Sequence, residues 1–224
     1  MVTNQAHRPP NDQTRSAFNR TTILQNLVSV ASILAAGQLE DFSSRLSDAL
    51  LKLSEQTVRP NDATLSFNAF NHLRINGAQF QQAVSSRLNE LLTQEARLLE
   101  TGGKSALQYN DPNLALVTFE EMENRVLLGN ISQSLELDIA DALKALNLRI
   151  GWLVGQEEMT VAENPFRPQV FVQAIYEGWC KIDSVAESHR VMLRLLGPEL
   201  FLSLASILEE LNQVLAERSI LPDL

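Results

Sequence analysis

The stretch LELDIADALKALNLRIGWLVG, Leu135–Gly155, decides the fold class. Leu135, Ile139, Leu143, Leu146, Ile150 and Leu153 recur every three or four residues, the period of one face of an α-helix. Gly155 stands where a helix C-cap is expected, so the spacing predicts one helix ended by that glycine. A half-buried strand would alternate apolar and polar residues with period two, and no stretch of the chain does so convincingly.

The same period extends in both directions. On the C-terminal side, Phe171, Ala174, Ile175 and Ile182 mark a further helix, and Leu200 or Phe201, Leu204, Leu208, Leu211 and Leu215 a last long one. On the N-terminal side, Phe119, Met122, Val126 and Leu127 open a helix, with Glu120, Glu121 and Glu123 suited to its positive first turn. Before it, TGGKSALQYNDPN at Thr101–Asn113 is rich in glycine, asparagine and proline and is expected to be a loop. A long segment over Ala63–Leu99 carries Phe67, Phe70, Leu73, Phe80, Val84, Leu88 and Leu91, with Gly77 expected to kink or split it. Asn61 or Asp62 is expected to cap that segment. Two earlier stripes, Ile23–Leu34 ended by Gly37 and Leu39–Leu53, complete the set. The expected fold is all-α, an irregular bundle of about seven or eight helices with no sheet, because amphipathic faces must pair to be stable. Residues 1–16 are expected as a disordered tail, 17–100 as an N-terminal helical half, 101–116 as a loop and 117–224 as a C-terminal half packed with the first.

Composition bounds the function. The 224 residues include 45% hydrophobic and 20% charged side chains, enough apolar content for a core. A net charge of −9 argues against nucleic-acid binding, which needs a lysine and arginine excess, and suits a basic partner. One cysteine, Cys180, excludes a disulfide within the chain, and cytoplasmic location is expected. The run from Ile23 to Gly37 is too short and too polar for a membrane span, so none is expected.

The remaining motifs are weighed residue by residue. In VAENPFRPQV, Val161–Val170, Pro168 suits the first position of a helix and leaves Asn164 and Arg167 extended before it. Phe166 there is a candidate staple, and Arg167 beside a helix start could grip an anionic group of a partner. Gly103, Lys104 and Ser105 resemble the end of a phosphate loop, but the earlier glycine such a loop needs is Leu98. His7, His72 and His189 lack the spacing of a helical metal site, so no metal, no cofactor and no catalytic residue is expected. Cys180 is expected as a core thiol, and Trp152, Trp179 and Tyr176 as core or helix-packing aromatics. Ile220, Leu221 and Leu224 put three apolar side chains at a chain end, which docks either on its own body or into another subunit or partner. Phe166, Arg167, Ile220, Leu221 and Leu224 are thus the candidate partner-binding residues.

Four blocks, in order, resemble a bacterial family known as domain-of-unknown-function family 1631. They are DALLKLSEQTVRPNDATLSFNAFNHLRINGAQF from Asp48, LALVTFEEMENRV from Leu114, NPFRPQVFVQAI from Asn164 and LNQVLAERSILPDL from Leu211. The chain resembles a compact member, and the family's arginine-rich pattern after the phenylalanine helix is thinned to Arg74. Some members carry the label thymidine phosphorylase, but the resemblance supplies no catalytic residues to transfer. The expected function is a non-enzymatic bacterial adaptor or regulatory protein that binds another protein. A chaperone or toxin-neutralising partner for a basic protein is the alternative, and an enzyme with an Arg or carboxylate pocket the third. A homodimer is also expected.

Overall fold

The computed structural model describes residues 12–103, 105, 107, 119–156 and 158–223, with only the backbone course given for 12–18, 119 and 120. Within them the chain forms seven α-helices: α1 (Asp12–Gln56), α2 (Pro60–Thr101), α3 (Phe119–Asp138), α4 (Ala140–Val154), α5 (Pro168–Ile182), α6 (Ala186–Leu195) and α7 (Leu204–Glu217). A single 3-10 turn, Val161–Glu163, leads into α5. The described residues contain one isolated bridge, Gly197 to Leu200, and no strand. The fold is all-α.

Helices α1 and α2 form a long antiparallel hairpin whose turn is only residues 57–59. Its register is marked by Ser32 donating to Asn89 at 3.3 Å, Gln81 to Ser43 at 3.4 Å and the Phe42 and Phe80 rings 6.4 Å apart. From α1, Leu24, Leu27, Ala31, Ala35, Leu39, Phe42, Leu46 and Leu50 are buried along one continuous stripe. Each fully buried leucine or phenylalanine contributes roughly 1.5–3 kcal/mol. That sum explains why α1 passes through Gly37, which was expected to end a helix. One helical glycine costs only about 1 kcal/mol, and the stripe resumes in phase beyond it. Helix α1 also starts at Asp12, inside the stretch expected as a tail.

The start of α2 differs from expectation too. Pro60 takes the first helical position and Arg59 the cap without a side-chain bond, so neither Asn61 nor Asp62 caps the helix. Asp62 lies in the first turn, where its charge suits the helix dipole. The expected kink falls at Asn76, whose φ of −109° and ψ of 18° leave helical geometry one residue before Gly77. At the other end Gly102 closes α2 in the left-handed region.

The single helix expected over Leu135–Val154 is two. Ile139, at φ −110° and ψ 20°, separates α3 from α4. Its apolar stripe survives because Leu135, Ile139, Leu143, Leu146, Ile150 and Leu153 all stay buried across the bend. Gly155 ends α4 in the left-handed region, as expected. Helix α6 has no counterpart in the sequence reading. It is set up by Asp183, whose carboxylate accepts from the Val185 N–H at 2.9 Å and the Ser188 hydroxyl at 2.5 Å.

Helix α5 lies antiparallel on the side of α2 that α1 leaves open. His72 meets the Ile182 carbonyl, Phe80 meets Trp179 edge-on at 6.0 Å, and Arg87 pairs with Glu177 at 2.5 Å. At the crossing Gly178 presents bare backbone to Val84. Helix α7 packs on α4 and α1, and α3 on α5 and α6. One buried cluster runs from Leu24 to Ile220 through both halves of the chain. Among the described residues one helical stretch, Asn19–Gln56, is long and apolar enough by length and composition to cross a membrane. Here its apolar stripe is spent on α2.

Replacing Gly178 by alanine tests the crossing. A Cβ there would sit 3.1 Å from the Val84 nitrogen and 3.3 Å from its Cα, both backbone atoms. The variant is expected to lose about 1–3 kcal/mol by urea unfolding, although Gly→Ala inside a free helix is stabilising. An unchanged urea midpoint would remove the close approach.

Candidate functional site

The entrance to α5 follows its sequence. Pro168 stands at the first helical position, and Arg167 precedes it extended at φ −64°, ψ 150°. Asn164, fully buried, accepts from the Phe166 N–H at 2.8 Å through its Oδ1 and donates to Asn147 at 2.6 Å. Upstream, Glu163 and Thr160 close a capping box, and the Thr160 N–H and hydroxyl pull the Glu163 carboxyl below its ordinary range.

The burial of Phe166 and Arg167 corrects their reading as partner-binding residues. Phe166 is 0% and Arg167 1% exposed. The Arg167 guanidinium donates to Glu95 at 2.7 Å, the Asn164 carbonyl at 2.9 Å, Ser105 at 2.7 Å and Gln169 at 3.2 Å. Ser105 passes its own hydrogen to the other Glu95 oxygen at 2.8 Å and accepts from the Leu107 N–H at 3.1 Å. Gln169 donates to the Leu107 carbonyl. Arg167 therefore grips an anion, but that anion is Glu95 of α2. The cluster clamps residues 105 and 107, just beyond α2, against the start of α5. Ser105, once a phosphate-loop candidate, is used up in it; Lys104 lies outside the described residues. Nearby, burial pushes the Glu136 carboxyl up while the Arg167 charge pulls it down, and burial is the stronger.

The chain end is resolved by the close of α7. Ser219 and Leu221 adopt φ of 61° and 46°. The Ile220 N–H reaches the Leu215 carbonyl at 3.0 Å and the Ser219 N–H reaches Ala216 at 2.9 Å, the paired bonds of a Schellman close. That close folds Ile220 back into the core beside Leu215, both buried. Ile220 thus docks on its own chain and is not offered to a partner. Leu221 is half-buried, and Leu224 lies outside the described residues.

Cys180 is half-buried and faces His189, a pairing that spacing alone did not suggest. The His189 Nε2 is 2.8 Å from the Asp183 carbonyl oxygen, which only accepts, so Nε2 carries the hydrogen. In the neutral ring Nδ1 is then left as acceptor for the thiol at 3.7 Å. Tyr176 stands edge-on to the imidazole at 5.9 Å and accepts from Asn124 at 3.3 Å. Burial pushes the Cys180 thiol up and the Tyr176 hydroxyl up to about 12. A half-buried thiol with a raised pKa is a poor nucleophile at neutral pH, and the geometry joins α5 to α6.

Arg167 and His189 belong to separate clusters, and the Glu120 side chain is outside the described residues. Three clefts, of about 550, 540 and 510 Å³, contain neither Arg167 nor His189. The first, between α1, the α3–α4 bend and the start of α7, is lined by Asp41, Arg45, Asp138 and Glu199, with Arg45 held by the Glu199 and Phe201 carbonyls. No group of three or more potential metal ligands occurs among the described residues.

The outer face of α3 and α4 is what the sequence reading missed. Half of the ten large apolar side chains exposed among the described residues lie on these two helices: Met122 58%, Val126 58%, Leu137 75%, Leu148 43% and Trp152 58%. Trp152, expected as a core or helix-packing aromatic, is on this outer face, while Trp179 is fully buried. The signal was available. Leu137, Leu148 and Trp152 lie off the buried stripe, and a helix with two apolar stripes has one to spare.

Two outcomes test these assignments. Glu95→Ala and Arg167→Ala are each expected to cost about 3–5 kcal/mol, because each strands a buried charge, and the double variant less than their sum. Urea unfolding of the three variants is the check; a loss under 1 kcal/mol in either single variant would place the pair in contact with water. Iodoacetamide is expected to alkylate Cys180 more slowly than free cysteine at neutral pH and to speed up only at more alkaline pH, since a raised pKa lowers the thiolate fraction. Faster alkylation would show a thiolate held by His189.

Neither the curated proteins nor the solved structures contain a match to this chain. A family model does match, over residues 20–219, and it describes an N-terminal domain. The blocks at Asp48, Leu114 and Asn164 lie within that span, as does the last block up to Ser219. The chain belongs to the family of the protein of unknown function (DUF1631) N-terminal domain.

Proposed function

We propose that this chain is a non-enzymatic adaptor or regulatory domain of the bacterial cytoplasm that works by binding another protein through the outer face of α3 and α4. The observation that carries this reading is the row Met122, Val126, Leu137, Leu148 and Trp152, exposed on two helices whose opposite faces are packed on α5, α6 and α7. Exposed apolar rows with an aromatic anchor favour protein partners, because covering them removes apolar area from water. The polar side chains that first suggested chemistry support the reading from the other side. Arg167 and Glu95 neutralise each other in the interior, and Cys180 is a half-buried thiol facing His189 within the fold.

A basic partner is the variant of this reading that the net charge of −9 favours. Salt separates the two, since an apolar contact resists ionic strength and a charge-driven one weakens with it.

The test is site-specific photo-crosslinking in bacterial cells. A photoreactive phenylalanine at position 152 is expected to form covalent adducts with protein, and Leu148→Asp in the same chain is expected to reduce them at least tenfold. The same probe at Val58, exposed on the α1–α2 turn, serves as control. Equal adducts from positions 58 and 152 would refute the face.

A further inference from the structure

We infer that Cys180 and His189 form a site for one divalent cation of the zinc class, seated between α5 and α6. The two side chains come from different helices, and the Cys180 sulfur lies 3.7 Å from the His189 Nδ1. An ion about 2.3 Å from the sulfur and about 2.0–2.1 Å from the nitrogen, the lengths of zinc ligation, spans that gap at an angle of about 115°. That is close to the tetrahedral angle, so the two atoms already stand at ligand separation. Binding replaces the hydrogen between them. The thiol releases one proton to solvent, and the sulfur and Nδ1 each donate an electron pair to the metal.

The imidazole is already set as a ligand. Its Nε2 hydrogen is held by the Asp183 carbonyl at 2.8 Å, which leaves the Nδ1 lone pair facing the sulfur. Metal-bound histidines use the same outer bond, ring hydrogen to a carbonyl or carboxylate, to fix tautomer and orientation. Asp183 is fixed in turn, since it is buried and its carboxylate accepts from the Ser188 hydroxyl and the Val185 N–H.

Tyr176, one turn before Cys180 on α5, sets its hydroxyl on the same sulfur and accepts from Asn124 of α3. Its oxygen keeps a second lone pair for the ion, and water completes the shell on the open side of the half-buried thiol. Glu177 and Asp183 set negative charge toward the sulfur, and Glu121 toward Tyr176. Arg190, next to His189, is paired with Glu123 at 2.9 Å. Surroundings of that sign disfavour a bare thiolate and favour one that carries a cation. Sulfur with imidazole nitrogen selects zinc over magnesium or calcium, which take oxygen ligands. A closed structural zinc site has four strong protein ligands and this one has two, so the ion binds reversibly. It acts as a clamp on α6, the shortest of the seven helices and one whose start has no side-chain cap.

The experiment uses the full chain, reduced and freed of metal by a chelator, then titrated with cobalt(II) as a coloured stand-in for zinc. A near-ultraviolet sulfur-to-cobalt band and the visible bands of a four-coordinate ion are expected, saturating at one equivalent and erased by zinc(II). Cys180→Ser is expected to abolish the sulfur band. His189→Gln is expected to weaken cobalt binding at least tenfold with the far-ultraviolet helix signal unchanged. In the unaltered chain, saturating zinc(II) is expected to slow iodoacetamide alkylation of Cys180 at least tenfold. Absence of the sulfur band in excess cobalt would overturn the inference. So would a His189→Gln chain that binds cobalt as tightly as the unaltered one, because the thiol alone would then be the ligand. An alkylation rate indifferent to zinc would overturn it without recourse to any variant.

Discussion

Everything in this molecule leans on α2, a helix sealed from two sides. Phe42 of α1 and Trp179 of α5 both meet the Phe80 ring, one tilted at 6.4 Å and the other edge-on at 6.0 Å. With α1 on one flank and α5 on another, α2 has little freedom to slide, because its apolar positions are held in register from both neighbours. Gly178 lets the α5 backbone come close at Val84, and that proximity brings the start of α5 level with Glu95. The buried Arg167–Glu95 pair is a consequence of this alignment. It fixes the connection after α2 to the beginning of α5 and so ties the two halves of the chain at a second point.

The pair also shows how a residue that invites a functional reading can be consumed by architecture. An arginine before a helix start, flanked by prolines, has the chemistry to hold an anion. The fold supplies one from seventy-two residues away, together with Ser105, Gln169 and the Asn164 carbonyl. A charge buried this thoroughly costs desolvation energy that only several directed hydrogen bonds offset. Its contribution is geometric specificity at a junction. Cys180 and His189 follow the same pattern, joining α5 to α6 around a half-buried thiol.

The surface carries the apolar residues that the core leaves over. Helices α3 and α4 carry apolar side chains on two faces, and the core takes only one of them. The inner stripe, from Leu135 to Leu153, enters the core across the bend at Ile139. The outer row from Met122 to Trp152 stays in water, interleaved with Asn130, Gln133, Asp141 and Lys144.

By itself the sequence determined the helical class, some helix ends and the inner stripes. These are local matters: period, Pro168 at a first turn, Gly155 in a left-handed close. Even the docking of Ile220 was half legible, since an apolar end must go somewhere. Only the tertiary structure decided that α1 ignores Gly37, that α3 and α4 bend at Ile139, that Asp183 starts α6 and that Arg167 is spent on Glu95. In each case the deciding partner lies far along the chain, or the local preference is weaker than the packing that overrides it. The outer row was legible as apolar residues off the main stripe, but its exposure was not. Which of two apolar faces a helix buries depends on how much neighbouring surface reaches it, and that is a property of the assembled fold.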